Sequence, residues 1–386
     1  MTGTSRPADP PTGRARRALV PLLAAAALVL AACGDGTAGD QNQSTAGPTS
    51  DDTLTSSLDA YNDAPIGGRF SDAERGALVR ARCAADSCTY QLVRTEDGGA
   101  TWSVSAIPGA PVTSAPLDDA HAAVLPGGQV VTEIQVGADR PARHTADGGK
   151  TWPAHNAAPL GVTDKVPSNG ALVGWCSQSV DCAEPFLRVI LPSGASASFG
   201  PPPAELTETV RATRVADGSI WVQGRDGVGR VLLAVSRSNG TEWTTNRVPA
   251  PASSNVDIVG TGELAWVLSL SEDSGGGTGG TAPGAPARKL RQSLLYSQTA
   301  GASFDSVKLP EEYRLNTGSG IGVTDAGDAV ISSDGRVAVI SPSGQVTPVN
   351  DVKGAVYDLG PQILVHGPGG SWVSADAKTW SPLPKG

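Results

Sequence analysis

Helix is what this sequence lacks first. No stretch of ten residues in its body carries the 3.6-residue apolar period of an amphipathic helix. Helical bundles and α/β folds are therefore excluded, and with them the strand–helix setting of a glycine-rich phosphate loop. Cysteine is scarce, with five in 386 residues, and no C-x-x-C spacing occurs to support a redox role. Four scattered His give no metal-ligand pattern, so no metal and no cofactor is expected. Positive charge is short as well. Lys and Arg number 29 against 38 Asp and Glu, a net charge of −9. No basic stripe interrupts this balance, which disfavours nucleic acid and broad adhesion to anionic lipid. Long hydrophobic runs are missing except one: Ala18 to Leu30, thirteen residues broken only by Pro21, too short to span a bilayer.

That run follows Arg14, Arg16 and Arg17 and has the form of a secretory signal. The Arg16-Arg17 pair raises twin-arginine export, which its neighbours fit poorly. The run ends Leu30-Ala31-Ala32-Cys33-Gly34. This segment resembles the lipobox of bacterial lipoproteins, which implies cleavage before Cys33 and lipidation of its thiol; an ordinary secretory signal with an incidental Cys is the rival. Two or more acyl chains suffice for stable anchoring. The expected localisation is the outer face of a bacterial cytoplasmic membrane. Residues 1–32 carry four Arg and Asp9, so their removal leaves −12. Residues 33–57 hold the Cys and a segment rich in Gly, Thr, Ser, Asp and Gln, expected to be a flexible tether.

Glycine and proline are abundant, 48 and 30, in keeping with a turn-dense all-β chain. From residue 58 to 386 the chain repeats itself. Thr95-Glu96-Asp97-Gly98-Gly99-Ala100-Thr101-Trp102 returns as Thr145-Ala146-Asp147-Gly148-Gly149-Lys150-Thr151-Trp152. Weaker copies run from Ser236 through Gly240 to Trp243 and from Ser297 through Gly301 to Phe304, with Ser238 and Thr299 where Asp stood. A shortened copy holds Ser374, Asp376, Thr379 and Trp380 and lacks the Gly. The chemistry suits a hairpin turn. Asp oxygens accept backbone N–H groups, glycine takes positive φ, and the aromatic opens the outgoing strand and buries a large apolar area.

The pattern resembles the Asp-box, or BNR repeat, of sialidases, sortilin-type receptors and propeller-type photosystem II assembly factors. The resemblance implies a β-propeller in which the box is structural. The gaps from Trp152 to Trp243 and from Phe304 to Trp380, 91 and 76 residues, each leave room for one more unit. Gly170–Phe199 and Ala329–Gly344 fill them. The total is seven units of about 46 residues, the length of a four-stranded blade; six blades is the alternative. Short alternating runs such as Ala77–Arg80, Ile220–Gln223 and Gln362–Val365 read as strands. Residues 271–289, rich in Gly, Thr, Ala and Pro, lengthen the fifth unit and are expected to be a disordered hairpin tip.

With Cys33 assigned to lipid, four Cys remain. Cys83/Cys88 and Cys176/Cys182 each follow a strand run, so two local disulfides are expected in an exported protein. A four-thiolate zinc site is the rival, and the 88 residues between the pairs oppose it.

No catalytic set stands out. As the resemblance has it, sialidases use three Arg, a Tyr activated by Glu, an Asp, and a Phe/Tyr-Arg-Ile-Pro motif. Here Ile66-Gly67-Gly68-Arg69-Phe70 departs from that motif, and Phe186-Leu187-Arg188 is nearer in residue type but lies in the third unit. The five Tyr are 61, 90, 296, 313 and 357. Glu311-Glu312-Tyr313-Arg314 and Asp118-Asp119 beside His121 are candidate clusters, each more simply a solvated loop. The reading is a monomeric, membrane-anchored propeller that binds an envelope protein or glycan without turning it over. A divergent exo-α-sialidase-like glycoside hydrolase is the second reading.

Overall fold

The computed structural model describes residues 65–385, except 85–86, 116, 118–119, 126, 135–141, 154–160, 176–186, 192, 201–202, 216, 253, 273–289 and 316–318. They form a seven-bladed β-propeller: five blades have four antiparallel strands, blade 2 shows three among the described residues, and blade 3 carries a parallel outer strand. Blade 1 is β1 (Pro65–Phe70), β2 (Gly76–Ala84), β3 (Ser87–Thr95) and β4 (Ser103–Ala106). Blade 2 shows β5 (Ala120–Val124), β6 (Val130–Ile134) and β7 (Ala142–Thr145). Blade 3 comprises β8 (Val162–Thr163), β9 (Ala171–Trp175), β10 (Arg188–Ile190) and β11 (Ser196–Phe199). Blade 4 follows with β12 (Glu208–Arg214), β13 (Ile220–Arg225), β14 (Val231–Ser236) and β15 (Thr244–Arg247). Blade 5 has β16 (Asn255–Thr261), β17 (Leu264–Glu272), β18 (Leu290–Ser297) and β19 (Asp305–Val307). Blade 6 has β20 (Ile321–Val323), β21 (Ala329–Ser333), β22 (Arg336–Ile340) and β23 (Val346–Val349). Blade 7 ends the ring with β24 (Ala355–Asp358), β25 (Ile363–Gly367), β26 (Gly370–Ser374) and β27 (Ser381–Pro382). The helical content among the described residues is one 3-10 turn, Glu311–Tyr313.

Alternation within each strand sends apolar side chains to both blade faces, so the core lies between blades. Every pair of neighbours has its own apolar layer. Val79, Leu92 and Val130 join blades 1 and 2; Phe199, Leu172 and Val222 join 3 and 4. Trp221, Leu233 and Val267 join 4 and 5; Trp266, Leu294 and Ile331 join 5 and 6; Val330, Ile363 and Val365 join 6 and 7. Phe70, Leu78 and Val373 close the ring between 7 and 1. The Phe70 N–H donates to the Leu359 carbonyl at 2.8 Å across this seam, and the buried Arg80 reaches the Pro384 carbonyl at 2.6 Å. Blade 1 and blade 7 are each made of consecutive strands, so closure rests on packing and these bonds. Among the described residues, Leu125, Val131 and Ile190 are buried between blades 2 and 3.

Blade 3 departs from the pattern. Its fourth strand β8 pairs parallel with β11, and β9 pairs antiparallel with β12 of blade 4, so the two blades form one sheet. The Arg214 guanidinium covers the carbonyls at this junction, donating to Pro167, Ser168, Gly170 and Gly218 and to Asn239 Oδ1 at 2.8–3.3 Å.

The repeats turn the chain from the third to the fourth strand of their blades. Asp97 Oδ1 accepts the Thr101 N–H at 2.8 Å and Oδ2 the Thr101 hydroxyl at 2.6 Å; Asp147 does the same for Thr151 at the same distances. The buried Thr95 and Thr145 hydroxyls accept the Gly99 and Gly149 N–H groups at 2.9 and 2.8 Å. Where Asp is absent a hydroxyl stands in: Ser238 Oγ accepts the Glu242 N–H at 2.8 Å and Thr299 Oγ1 the Ser303 N–H at 3.0 Å, while Ser236 and Ser297 hold Gly240 and Gly301. In blade 7, Ser374 donates to Asp376, which accepts the Thr379 N–H. Gly149 is required twice over: its φ is +90, and a Cβ there would stand 2.1 Å from Ser105 Oγ. Each repeat aromatic packs toward the preceding blade. Trp102 meets Phe70 edge-on at 6.3 Å, Trp243 meets Phe199 at 6.2 Å, and Trp152, Phe304 and Trp380 sit on the 1–2, 4–5 and 6–7 layers.

Cys83 and Cys88 face each other across the β2–β3 hairpin and are joined by a disulfide. Cys176 and Cys182 lie outside the described residues, as do Cys33 and residues 1–64. Of the expected 271–289 insertion, Ser271 and Glu272 belong to β17, paired with Arg291 and Leu290. The ladder holds them in the strand, and 273–289 lie outside the described residues. Among the described residues no helix is long and apolar enough to cross a membrane.

Candidate functional site in the central channel

The first strand of each regular blade lines the ring's axis, so one side of it cannot be apolar core. In β16, Val256 and Ile258 are buried in a blade layer while Asn255 and Asp257 are exposed, Asp257 to the channel. Neighbouring inner strands approach backbone to backbone: a Cβ on Gly320 would lie 1.8 Å from the Val356 carbonyl oxygen. The result is a cavity of about 340 Å³ with walls from six of the seven blades. Its polar lining is His121, Arg211, Asp257, Ser319, Tyr357 and Asp358. The early residues of β1, β5 and the approach to β20 contribute to it, so it lies toward the face of the blade-to-blade connections, opposite the repeat turns.

Arg211 of blade 4 and Asp358 of blade 7 form an ion pair of 3.0 Å across the axis. Asp358 is nearly buried, its side chain 7% exposed, and it also accepts the Gly360 N–H at 3.3 Å. The same two residues line a second, smaller cavity with Arg69, Thr213 and Trp221. The ion pair is thus a partition between two chambers. In the smaller chamber Arg69 of blade 1 donates to the Arg214 carbonyl of blade 4 at 3.3 Å. Burial lowers the Arg69 pKa to about 10, with Asp358 opposing and Arg211 adding to the shift.

Asp257 differs from Asp358. Its side chain is exposed to the channel, with protein packed around it on the other sides. Among the described residues none donates a hydrogen bond to its carboxylate. Burial raises its pKa, Arg211 opposes, and Asp358 adds to the rise. Among the described residues no cluster of three or more His, Cys, Asp or Glu could hold a metal ion.

The residues that sequence reasoning weighed are scattered. The repeat residues all sit at the blade rims, away from the cavity. Tyr313 is buried in the layer between blades 5 and 6, with Glu311 and Arg314 paired on the surface beside it. Tyr90 and Tyr296 belong to interblade layers. Arg188 pairs with Glu133 at 3.7 Å. Asp118, Asp119 and Phe186 lie outside the described residues, while His121 does line the cavity. Sequence reasoning missed Arg211, Asp257 and Asp358. Their signal was a charged residue within a blade's first strand, interior for Arg211 and Asp257 and at the strand's end for Asp358. The lining brings together one Tyr, two Asp and one Arg, with no Glu and no third Arg among the described residues.

No family model matches the chain, and no curated protein matches it. Among solved structures it is similar to an α-L-arabinofuranosidase of glycoside hydrolase family 93 from Fusarium graminearum, at 11% identity over 82% of this chain and 90% of that one, TM-score 0.40. It is similar to a glycoside hydrolase family 74 enzyme from Niastella koreensis, at 13% identity over 84% and 67%, TM-score 0.40. The sialidase of Trypanosoma rangeli is a third, at 12% identity over 82% and 54%, TM-score 0.36. At these identities the likeness concerns fold alone.

Proposed function

We propose that the protein is a lipid-anchored envelope component whose propeller binds a small polar ligand, the end of a glycan, in the larger channel chamber without turning it over. Cys33 carries the anchor, residues 34–57 the tether, and the repeats are Asp-boxes that fold the blade rims. The observation that carries this reading is the chamber itself: about 340 Å³ with two carboxylates, a guanidinium, a phenol and an imidazole converging from blades 2, 4, 5 and 7. Concave clefts with a few convergent polar groups are the usual form of small-molecule sites. Sugar hydroxyls donate well to carboxylates, and Tyr357, 46% exposed in the lining, offers a ring for a sugar face. Turnover of the sialidase type needs a Glu beside the Tyr and further Arg in the lining.

Isothermal titration of the full chain with a panel of mono- and disaccharides tests this. At least one saccharide binds, and Tyr357→Ala weakens it about tenfold or more. Absence of any binding, or binding untouched by Tyr357→Ala, overturns the channel assignment. Release of sugar product during incubation overturns the non-catalytic part.

A further inference from the structure

The charge inventory of the larger chamber says more about its ligand. Its walls carry two carboxylates, Asp257 and Asp358, against one guanidinium, Arg211. That guanidinium is committed to Asp358 at 3.0 Å, to its carboxylate and, at 3.3 Å, to its backbone carbonyl. Arg69 stands behind the partition, in the other chamber. Arg211 also acts on Asp257 at longer range, but among the described residues no donor meets the Asp257 carboxylate, so Asp257 is the acidic group of the chamber without a direct partner.

We infer that the chamber recognises an ammonium group, with Asp257 as its counter-charge and the Tyr357 ring as the surface against which it rests. The proposal depends on the channel being the binding site and names the group bound there: an amino sugar with a free amine, in place of a neutral or N-acylated one. Two physical effects favour it. A charged hydrogen bond inside protein is stronger than a neutral one, and an aromatic face attracts a cation. Burial works against an isolated Asp257 carboxylate and for the same carboxylate once a cation arrives. The groups facing Asp257 are Arg211 and Asp358, with His121 and Tyr357 also in the lining. Protonation of Asp257 opposes a cationic ligand, so binding strengthens as pH rises from the acid side.

The test compares glucosamine, N-acetylglucosamine and glucose as probes of the full chain by isothermal titration, in wild type and Asp257→Asn, with unfolding midpoints measured in parallel. The expected result is glucosamine binding about tenfold tighter than either neutral sugar, with that preference lost in Asp257→Asn at an unchanged fold. Equal affinity for all three sugars, still sensitive to Tyr357→Ala, overturns the ammonium assignment and leaves the channel reading standing. Loss of all sugar binding in wild type overturns both. A Tyr357→Leu variant separates ring from carboxylate: it lowers glucosamine affinity and reduces the preference over glucose, whereas Asp257→Asn abolishes that preference.

Discussion

Arg211 and Asp358 meet at 3.0 Å across the propeller axis, one from blade 4 and the other from blade 7. The pair both ties distant blades together and divides the channel, so its removal has two consequences. Arg211→Met leaves a nearly buried carboxylate without its cation and costs about 2 kcal/mol. That is below the cost for a fully buried pair because Arg211 keeps some contact with channel water. The double variant Arg211→Met/Asp358→Leu recovers most of the loss. Denaturant unfolding of the two variants checks both statements.

Asp147 predicts an acid limb to stability. The Thr151 hydroxyl, then the Thr151 N–H, holds its carboxyl down to about 2 from an ordinary value of 3.8, with a small burial penalty opposing. A carboxyl lowered in the folded state stabilises above its unfolded pKa and loses that contribution as pH falls. The contribution is complete above about pH 4 and fades toward pH 2. Thermal midpoints measured from neutral to acid pH fall less steeply for Asp147→Asn than for wild type, and Asp147→Ala is less stable at pH 7.

The opposite sign is expected at Asp325. Burial first, then repulsion from Asp376 in the adjoining blade 7 turn, raises its pKa. Such a group binds its proton more tightly when folded, so it lowers stability at neutral pH and ceases to do so once protonated. Asp325→Asn raises the thermal midpoint at pH 7, and the gain disappears on acidification below the carboxylate range. The Asp325 N–H to Ala375 carbonyl bond of 3.1 Å is untouched by the change.

Ile190 is fully buried beside Leu125 and Val131 between blades 2 and 3. Ile190→Ala empties that position and costs about 3 kcal/mol, and backbone amides of β6 and β10 exchange faster in the variant than in wild type.

Much of the ring was legible because a propeller writes local information. Asp97, Gly99 and Trp102 recur at fixed offsets since each serves one turn and one interblade layer, and residues near in sequence suffice for both. The two units without a repeat, around Phe199 and Ala338, were found by spacing and form blades 3 and 6. The Cys83–Cys88 bond follows from a hairpin whose partners are five residues apart. The channel was not legible. Arg211, Asp257 and Asp358 are separated by 46 and 101 residues, and only ring closure brings them together. Nor did spacing show the parallel β8–β11 pairing, which depends on how blade 3 packs against its neighbours.

The channel as ligand site is the central claim, and a crystal structure of the protein soaked to saturation with glucosamine tests it most directly. The account predicts the sugar in the larger chamber, its amine against Asp257 and a face over Tyr357, with the Arg211–Asp358 pair intact beneath it. An empty chamber, or sugar bound only on the outer faces of the blades, contradicts it.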